Sequence, residues 1–296
     1  MMARRRSGPP RIALVTDSTA SLPQDWLTAN DVTVGPLQVV IGATSYDEGG
    51  PAGVTAEVLA DALKSWTPVS TSRPNPAEFL AAYQALAKNY DQVVSIHLSG
   101  ELSGTVESAQ IAADKASLPV FVVDSRQVGI GTGYAVMAAQ QARAAGLAGE
   151  AVAEAARAQA AATRTLLYVD TLEYLRRGGR VGAGAALLGS ALAVKPILEI
   201  EDGRVAPRER VRTATKALAR LQELAVAAAA DQPVRVAVAH LANEERAQQL
   251  AAGLCDLLGD RVVDDVFIGE IGAVLGAHVG PGMLAVCLAP VLAPQA

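Results

Sequence analysis

The chain has few of the residues that proteins use for metal binding and redox chemistry. It contains 296 residues, but only two cysteines and three histidines. Cys255 and Cys287 lie far apart and form no CxxC pair, which argues against a zinc knuckle and against a disulfide framework. His97, His240 and His278 have no HExxH spacing, so a zinc hydrolase is not expected. The cysteine usage is typical of a reducing cytoplasm.

The motifs of nucleotide-binding and hydrolytic enzymes are also missing. Gly129, Gly131 and Gly133 lack the final spacing of GxGxxG, and there is neither a Walker phosphate loop nor a GxSxG nucleophile elbow. Asp17 follows the first predicted strand, but no second Asp stands two residues later, as a haloacid-type phosphatase would require. The sequence therefore predicts a binding protein without catalytic residues of its own, and it predicts no metal and no cofactor.

Positive charge and long apolar segments are scarce as well. The formal net charge is -5 and the pI about 5.3, which argues against general nucleic-acid binding. The longest apolar run, residues 181–194, is shorter than the roughly 20 residues that a membrane span needs. Three arginines near the N-terminus are followed by no hydrophobic segment of the kind found in signal peptides. We therefore interpret residues 1–10 as a flexible tail and expect a cytoplasmic protein.

Aliphatic residues dominate the composition, with 51% hydrophobic but only 4% aromatic residues. Short β-branched runs alternate with alanine-rich stretches, a pattern that predicts βαβ units and a parallel sheet. Three runs are almost continuously apolar, as buried parallel strands are: Ile12–Thr16, Val93–Leu98 and Val120–Val123. Helices are predicted between and after them, at about 55–65, 76–89, 103–117, 127–146 and 149–161.

The pattern changes near residue 164, where we place a domain boundary. Strands are predicted beyond it at 165–169, 197–201, 234–239, 262–268 and 283–288. A hairpin turn is predicted at Asp202-Gly203, and helices are predicted at about 211–230 and 243–258. The fold class is therefore α/β, with an N-terminal parallel-sheet domain over residues 11–163 and a C-terminal α+β domain over residues 164–296.

Each of the three N-terminal strands ends in small polar residues. These are Asp17-Ser18-Thr19, Ser99-Gly100 and Asp124-Ser125, and either Ser103 or Thr105 is placed to cap the helix that follows the second group. Parallel strands end at one sheet edge, where ligands of α/β proteins bind. Two interpretations stay open: the groups form a polar cup for a carboxylate or phosphate, or they cap the following helices.

Six sequence blocks, taken together, resemble one known family. The blocks are Val15–Ser18 with Leu22-Pro23, Ser70–Pro74, Leu98–Ala109, Val123–Ser125, Leu172–Val181 and Gly276–Gly282. They resemble the DegV family of bacterial fatty-acid-binding proteins, in the family's order and over nearly the whole chain.

The resemblance implies a two-domain protein that holds one long-chain fatty acid in a tunnel between its domains. The fatty acid would be the bound ligand. A separate fatty acid kinase would convert its carboxylate to an acyl phosphate with ATP, so that this chain would be the carrier subunit. A lipid-sensing regulatory protein is the alternative, and an enzyme acting on a small phosphorylated substrate is a further one.

The resemblance also implies roles for particular residues. The carboxylate would be bound by Thr71, Ser99 and His278, and supporting roles would fall to Ser72, Arg180, Gly280 and Gly282. The family often has two serines where this chain has Ser99-Gly100, and we assign the role to the first. Ordinary roles stay open for these residues: turn residues for Thr71 and Ser99, a structural histidine for His278, and a helix cap for Arg180.

Two further segments have two interpretations each. Ala183–Val194 would line the tunnel or form a plain core helix. A basic cluster would dock the kinase or form a solvated face; it consists of Arg204, Arg208, Arg210 and Arg212.

Overall fold

A computed structural model describes residues 9–49, 53–181 and 194–292 of the chain. The predicted tail, except its last two residues, lies outside the described residues. The segment Ala183–Val194 also lies outside them, except for Val194.

In the described ranges the helices are α1 (Gln24–Ala29), α2 (Ala56–Lys64), α3 (Pro76–Leu86), α4 (Thr105–Ala113), α5 (Ile130–Ala144), α6 (Gly149–Ala162), α7 (Glu173–Arg177), α8 (Ala214–Ala229), α9 (Glu244–Leu258) and α10 (Ala273–Val279). The strands are β1 (Ile12–Asp17), β2 (Val32–Gly35), β3 (Gln38–Ile41), β4 (Thr44–Asp47), β5 (Val69–Ser72), β6 (Gln92–His97), β7 (Val120–Asp124), β8 (Arg164–Tyr168), β9 (Lys195–Glu201), β10 (Arg204–Val211), β11 (Val234–His240), β12 (Phe267–Glu270) and β13 (Leu284–Pro290).

The N-terminal part is built on a parallel sheet with the strand order β2-β1-β6-β7. Along β1, Ile12 and Leu14 pack with α5 and α6, whereas Ala13 and Val15 pack with α3 and α4. Both faces of the sheet are therefore covered, which explains why the strands are almost continuously apolar. The predicted parallel sheet and α/β class are confirmed.

The C-terminal part contains a mixed sheet with the order β10-β9-β8-β13-β11-β12, in which β11 and β12 are parallel and the other pairs antiparallel. One face packs against α8 and α9. Its first strand in sequence begins at Arg164, where the sequence pattern changes. The division into two domains at this point stays an interpretation.

A small antiparallel sheet, with the order β4-β3-β5, was not predicted from the sequence. Its strands have only four residues each and carry polar residues such as Gln38, Ser45 and Ser70. They therefore lack the long apolar runs by which the other strands were found. This sheet packs against α10, as does α2.

Two predicted boundaries also differ from the structure. The strand expected at 262–268 is β12, four residues long, and Val262 makes only an isolated bridge with Val234. The helix α4 begins at Thr105, and its N-cap residue is Gly104, which has no side chain to cap it. The hydroxyls of Ser103 and Thr105 bond to each other at 2.8 Å.

Candidate functional site

An apolar cavity lies where the mixed sheet, the small sheet and α10 meet. It comprises about 710 Å³ of space, open solvent included. Most of its lining is aliphatic, contributed by Leu37, Leu98, Leu102, Val128, Leu167, Leu175, Ile200, Val205, Val274, Leu275 and Val279. The cavity thus draws its apolar wall from residues far apart in the sequence.

One end of this cavity is polar. Thr71 is in β5 and His278 is in the last turn of α10, and Thr71 Oγ1 lies 3.0 Å from His278 Nε2. Ser72, Arg73 and Arg180 line the same cavity. The structure therefore brings together four of the residues that the resemblance implied, and it adds Arg73 to them.

A second, outer cleft of about 1150 Å³ adjoins this polar end, open solvent included. Thr71, Arg180 and His278 line both the cavity and the cleft. The cleft also contains Trp66, whose ring lies 4.1 Å from the Arg177 guanidinium carbon. A ligand with its apolar part in the cavity would thus have its polar end accessible from the cleft.

The imidazole of His278 is held in its neutral form. Burial, with a contribution from the nearby Arg180 guanidinium, lowers the pKa of His278 from 6.5 to about 4. Its Nδ1 atom is buried and has no hydrogen-bond partner among the described residues. Gly178 makes room for the ring, because a Cβ atom there would lie 2.2 Å from Nδ1. A neutral imidazole beside Thr71 offers hydrogen bonding without charge.

Arg180 supplies positive charge at the polar end. Its Nε donates to the Leu102 carbonyl at 3.1 Å and its Nη1 to the Gly178 carbonyl at 2.6 Å. These bonds fix the guanidinium between two loops that border the cavity. Arg73 is less available to neutralise the negative charge of a ligand. Its side chain is exposed, and its Nη1 already donates to the Glu107 carboxylate at 2.9 Å.

Gly280 and Gly282 shape the turn after α10. Both have positive φ angles, 76° and 85°. A Cβ atom on Gly280 would lie 2.1 Å from the ring of Tyr174, and one on Gly282 would lie 2.4 Å from the carboxylate of Asp170. Glycine at both positions therefore permits the close packing of this turn. His278 itself lies in the last turn of α10, before this glycine-rich turn.

Ser99, which the resemblance implied as a carboxylate ligand beside Thr71 and His278, does not line the cavity. Its hydroxyl is buried and donates to the Gly203 carbonyl at 2.7 Å, and it accepts from the Glu101 amide at 3.2 Å. The β9–β10 hairpin turn therefore occupies the space beside Ser99, which is absent from the residues lining the cavity. Ser103, considered before only as a helix cap, lines the cavity instead.

The polar ends of the parallel strands are joined by hydrogen bonds, and the Asp124 carboxylate at the end of β7 accepts from the Gly100 amide after β6 at 3.2 Å. Asp17 Oδ2 accepts from His97 Nδ1 at 2.9 Å and from the Leu98 amide at 3.1 Å, and Oδ1 accepts from Thr19. His97 Nε2 lies 2.7 Å from Ser95 Oγ. The Asp17, His97 and Ser95 side chains are almost fully buried and satisfy one another. They form a structural network and not an open cup for an anion.

The family follows from comparison of the whole chain. A family model described as "Uncharacterised protein, DegV family" matches residues 11–291. A DegV domain-containing protein of Streptomyces coelicolor is 50% identical over 279 residues, which cover 93% of this chain and 97% of that protein. This chain belongs to the DegV family.

Solved structures of DegV proteins have the same fold. One, described as showing fatty acid binding of a DegV family protein from Thermus thermophilus, has a TM-score of 0.88, with 32% identity, and covers 95% of this chain and 100% of that one. DegV from Bacillus subtilis, described as a fatty acid binding protein, has a TM-score of 0.86, with 32% identity and the same coverage. The DegV fold implied by the sequence blocks is therefore confirmed.

The arginines expected to dock a partner do not all lie on one face of this DegV protein. Arg204 and Arg210 are on the edge strand β10, opposite Glu201 and Pro196 of β9. Glu201 and Pro196 are five residues apart in a strand, so they point to opposite faces, and Arg204 and Arg210 do as well.

Two of these arginines are also paired with acidic residues. Arg204 forms an ion pair with Glu101, and Arg208 Nη1 lies 3.3 Å from Glu199 Oε1. Because Arg204 and Arg210 point to opposite faces, and Arg204 and Arg208 are paired with acidic residues, the basic segment does not form one continuous positive patch.

None of the described helices of this DegV protein has the length and apolar character that crossing a membrane requires. Within the described ranges of the chain, no group of three or more His, Cys, Asp or Glu residues is placed to hold a metal ion.

Proposed function

We propose that this protein binds a long-chain fatty acid, with the acyl chain in the apolar cavity and the carboxylate at its polar end. The observation that carries the proposal is the position of Thr71, Arg180 and His278 at a polar end of a mainly aliphatic cavity, where they also line the outer cleft. The fatty acid binding stated for the similar DegV proteins of Thermus thermophilus and Bacillus subtilis supports it.

The lining explains how such a ligand would be recognised. Each buried methylene contributes about 0.8 kcal/mol, so a long acyl chain supplies on the order of 10 kcal/mol before the cost of its ordering. Each hydrogen bond to a charged carboxylate adds about 1.5–3 kcal/mol. The acyl chain therefore dominates the affinity. Thr71 and Arg180 fix the orientation and disfavour uncharged lipids.

The outer cleft supports a carrier role. Because Thr71, Arg180 and His278 line both spaces, a carboxylate held by them would be accessible from the cleft, while the acyl chain stays covered. A fatty acid kinase could then reach the carboxylate and phosphorylate it with ATP. In this proposal the kinase performs the chemistry, this protein presents the substrate, and the two meet in the cytoplasm.

Docking of the kinase by Arg204, Arg208, Arg210 and Arg212 stays a prediction. Reversing Arg208 and Arg210 to Glu should slow acyl phosphate formation in a coupled assay without changing fatty acid affinity, because opposite charges speed association. If the double variant supports the kinase as well as wild type at low salt, the arginines do not dock it.

The binding proposal is tested by the small molecule that co-purifies with the protein. Native mass spectrometry, followed by organic extraction and mass analysis, should find one long-chain fatty acid per chain. A delipidated sample should regain the ligand from a fatty acid mixture but not from the matching fatty alcohols. A phosphorylated sugar in the native protein, or equal uptake of the alcohols, would contradict the proposal.

A further inference from the structure

Glu48 is a buried carboxylate at some distance in sequence from every residue assigned to the ligand. It follows β4 and is only 9% exposed. Its Oε1 accepts from the Val274 amide at 2.8 Å, and its Oε2 accepts from the Ser18 hydroxyl at 2.6 Å. Among the described residues it has no ion-pair partner. A buried carboxylate without a cation is costly, so its position needs a physical explanation.

The electrostatics of Glu48 are consistent with this cost. Burial raises the pKa of Glu48, and the nearby Asp17 carboxylate adds to the effect, whereas the hydrogen bonds from Ser18 and the Val274 amide oppose it. An apolar residue would avoid the burial penalty. What such a residue would lose is the hydrogen bond to the first turn of α10.

Glu48 and Thr71 contact the two ends of α10. Glu48 bonds to the amide of Val274 in its first turn, and Thr71 bonds to His278 in its last turn. Glu48 directly follows β4 and Thr71 lies in β5, and these two strands flank β3 in the small sheet. The helix that carries His278 is therefore attached to the sheet that carries Thr71 at two points.

The approach of Glu48 to α10 depends on Gly272. A Cβ atom on Gly272 would lie 2.1 Å from Glu48 Oε1 and 2.6 Å from its carboxyl carbon. The φ angle of Gly272 is -67°, which any residue can adopt. Glycine is therefore needed at this position because a side chain would clash with the Glu48 carboxylate, and not because of the backbone conformation.

Ser18 extends the attachment to the parallel sheet and the cavity wall. Its Oγ donates to Glu48 and accepts from the Leu37 amide at 3.0 Å, and Leu37 lines the cavity. Glu48 thus joins the end of β1, the segment before β3 and α10. These are three of the elements that surround the proposed ligand.

We propose that Glu48 is a positioning residue: by fixing α10 to the small sheet, it places His278 against Thr71 and so sets the geometry at the polar end of the cavity. The effect on the ligand rests on the proposed function. The placement of the imidazole does not, and it can be measured without a ligand.

The experiment compares Glu48→Ala, Glu48→Gln and Gly272→Ala with Thr213→Ala as a matched control. Thr213 Oγ1 accepts from the Lys216 amide at 3.4 Å and caps α8, which carries none of the site residues. The measurements are the thermal unfolding midpoint, the imidazole NMR signals of the ligand-free protein, and fatty acid affinity. With only three histidines, His278→Gln assigns the His278 signals.

In wild type the His278 signals should not titrate between about pH 8 and pH 5.5, because the pKa lies near 4. In Glu48→Ala and Gly272→Ala the chemical shifts of His278 should change, and the signals should begin to titrate within this pH range, since the ring becomes more hydrated. Affinity for fatty acid should fall on the order of fivefold, as for a lost helix cap. Glu48→Gln should show smaller effects, since its amide oxygen can still accept from the Val274 amide. Thr213→Ala should change neither the His278 signals nor the fatty acid affinity.

Unchanged His278 signals in folded Glu48→Ala or Gly272→Ala protein would overturn the proposal, even if affinity fell. If Glu48→Ala does not fold, Gly272→Ala decides the question, because it keeps the carboxylate. Wild-type protein that binds no fatty acid would contradict the proposed function, while the His278 signals would still decide the role of Glu48.

Discussion

Thr71 Oγ1 and His278 Nε2 are 3.0 Å apart, although the residues are separated by 207 positions in the chain. The contact joins the last strand of the small sheet to the last turn of α10. It lies at the boundary between the apolar cavity and the outer cleft. In the proposed function, this pair marks where the acyl chain ends and the carboxylate begins.

Replacing Thr71 by Val should weaken fatty acid binding about tenfold or more. The change keeps the side-chain shape and removes a hydroxyl that would bond a charged carboxylate, an interaction of about 1.5–3 kcal/mol. Titration of a fluorescent fatty acid measures the effect.

Ser99→Ala is the matched control for this change. It removes the bond to Gly203 and should lower stability while leaving affinity near the wild-type value. A large loss of affinity in Ser99→Ala, with none in Thr71→Val, would show that Ser99 and not Thr71 binds the carboxylate.

Much of the fold could be predicted from the sequence, because buried parallel strands leave long apolar runs such as Val93–Leu98. The resemblance also pointed to Thr71 and His278. The small sheet and Glu48 were missed, since four-residue polar strands and a lone glutamate carry no periodic signal. The hydrogen bond from Ser99 to Gly203 could not be predicted either, because it depends on a hairpin more than a hundred residues later.

Gly178→Ala should reduce fatty acid affinity by displacing the imidazole of His278. The new Cβ atom would lie 2.2 Å from Nδ1, so the ring has to leave its present position beside Thr71. Gly179→Ala is the control: its φ of 68° makes Ala strained, but nothing lies within 4 Å of the new Cβ atom. Affinity and unfolding midpoint should therefore separate the two variants, and equal affinities would show that His278 does not contribute.

Stability should depend on pH through His278. The unfolded chain takes up a proton on His278 as pH falls through about 6.5, but the folded protein does so only near 4. The unfolded state binds more protons in this window, so the folded protein loses stability as pH falls. His278→Gln removes this contribution, at most about 3 kcal/mol. Urea unfolding at about pH 7 and pH 4.5 should give a smaller pH dependence for the variant; equal dependence would contradict the pKa shift.

The isolated protein should produce no acyl phosphate. Incubation with ATP, magnesium and fatty acid should leave all three unchanged until a fatty acid kinase is added. Trapping any acyl phosphate with hydroxylamine gives a sensitive assay. Acyl phosphate formed by the pure wild-type protein would contradict this expectation. If Thr71→Val also formed acyl phosphate in proportion to its bound fatty acid, the chain would have catalytic residues of its own.

The most direct test of the account is a crystal structure of the protein with a bound long-chain fatty acid. The account predicts that the acyl chain fills the cavity lined by Leu37, Leu167 and Ile200. It also predicts that a carboxylate oxygen lies within hydrogen-bond distance of Thr71 Oγ1, facing the outer cleft. A carboxylate bound away from Thr71 and His278, or an acyl chain outside this cavity, would contradict it.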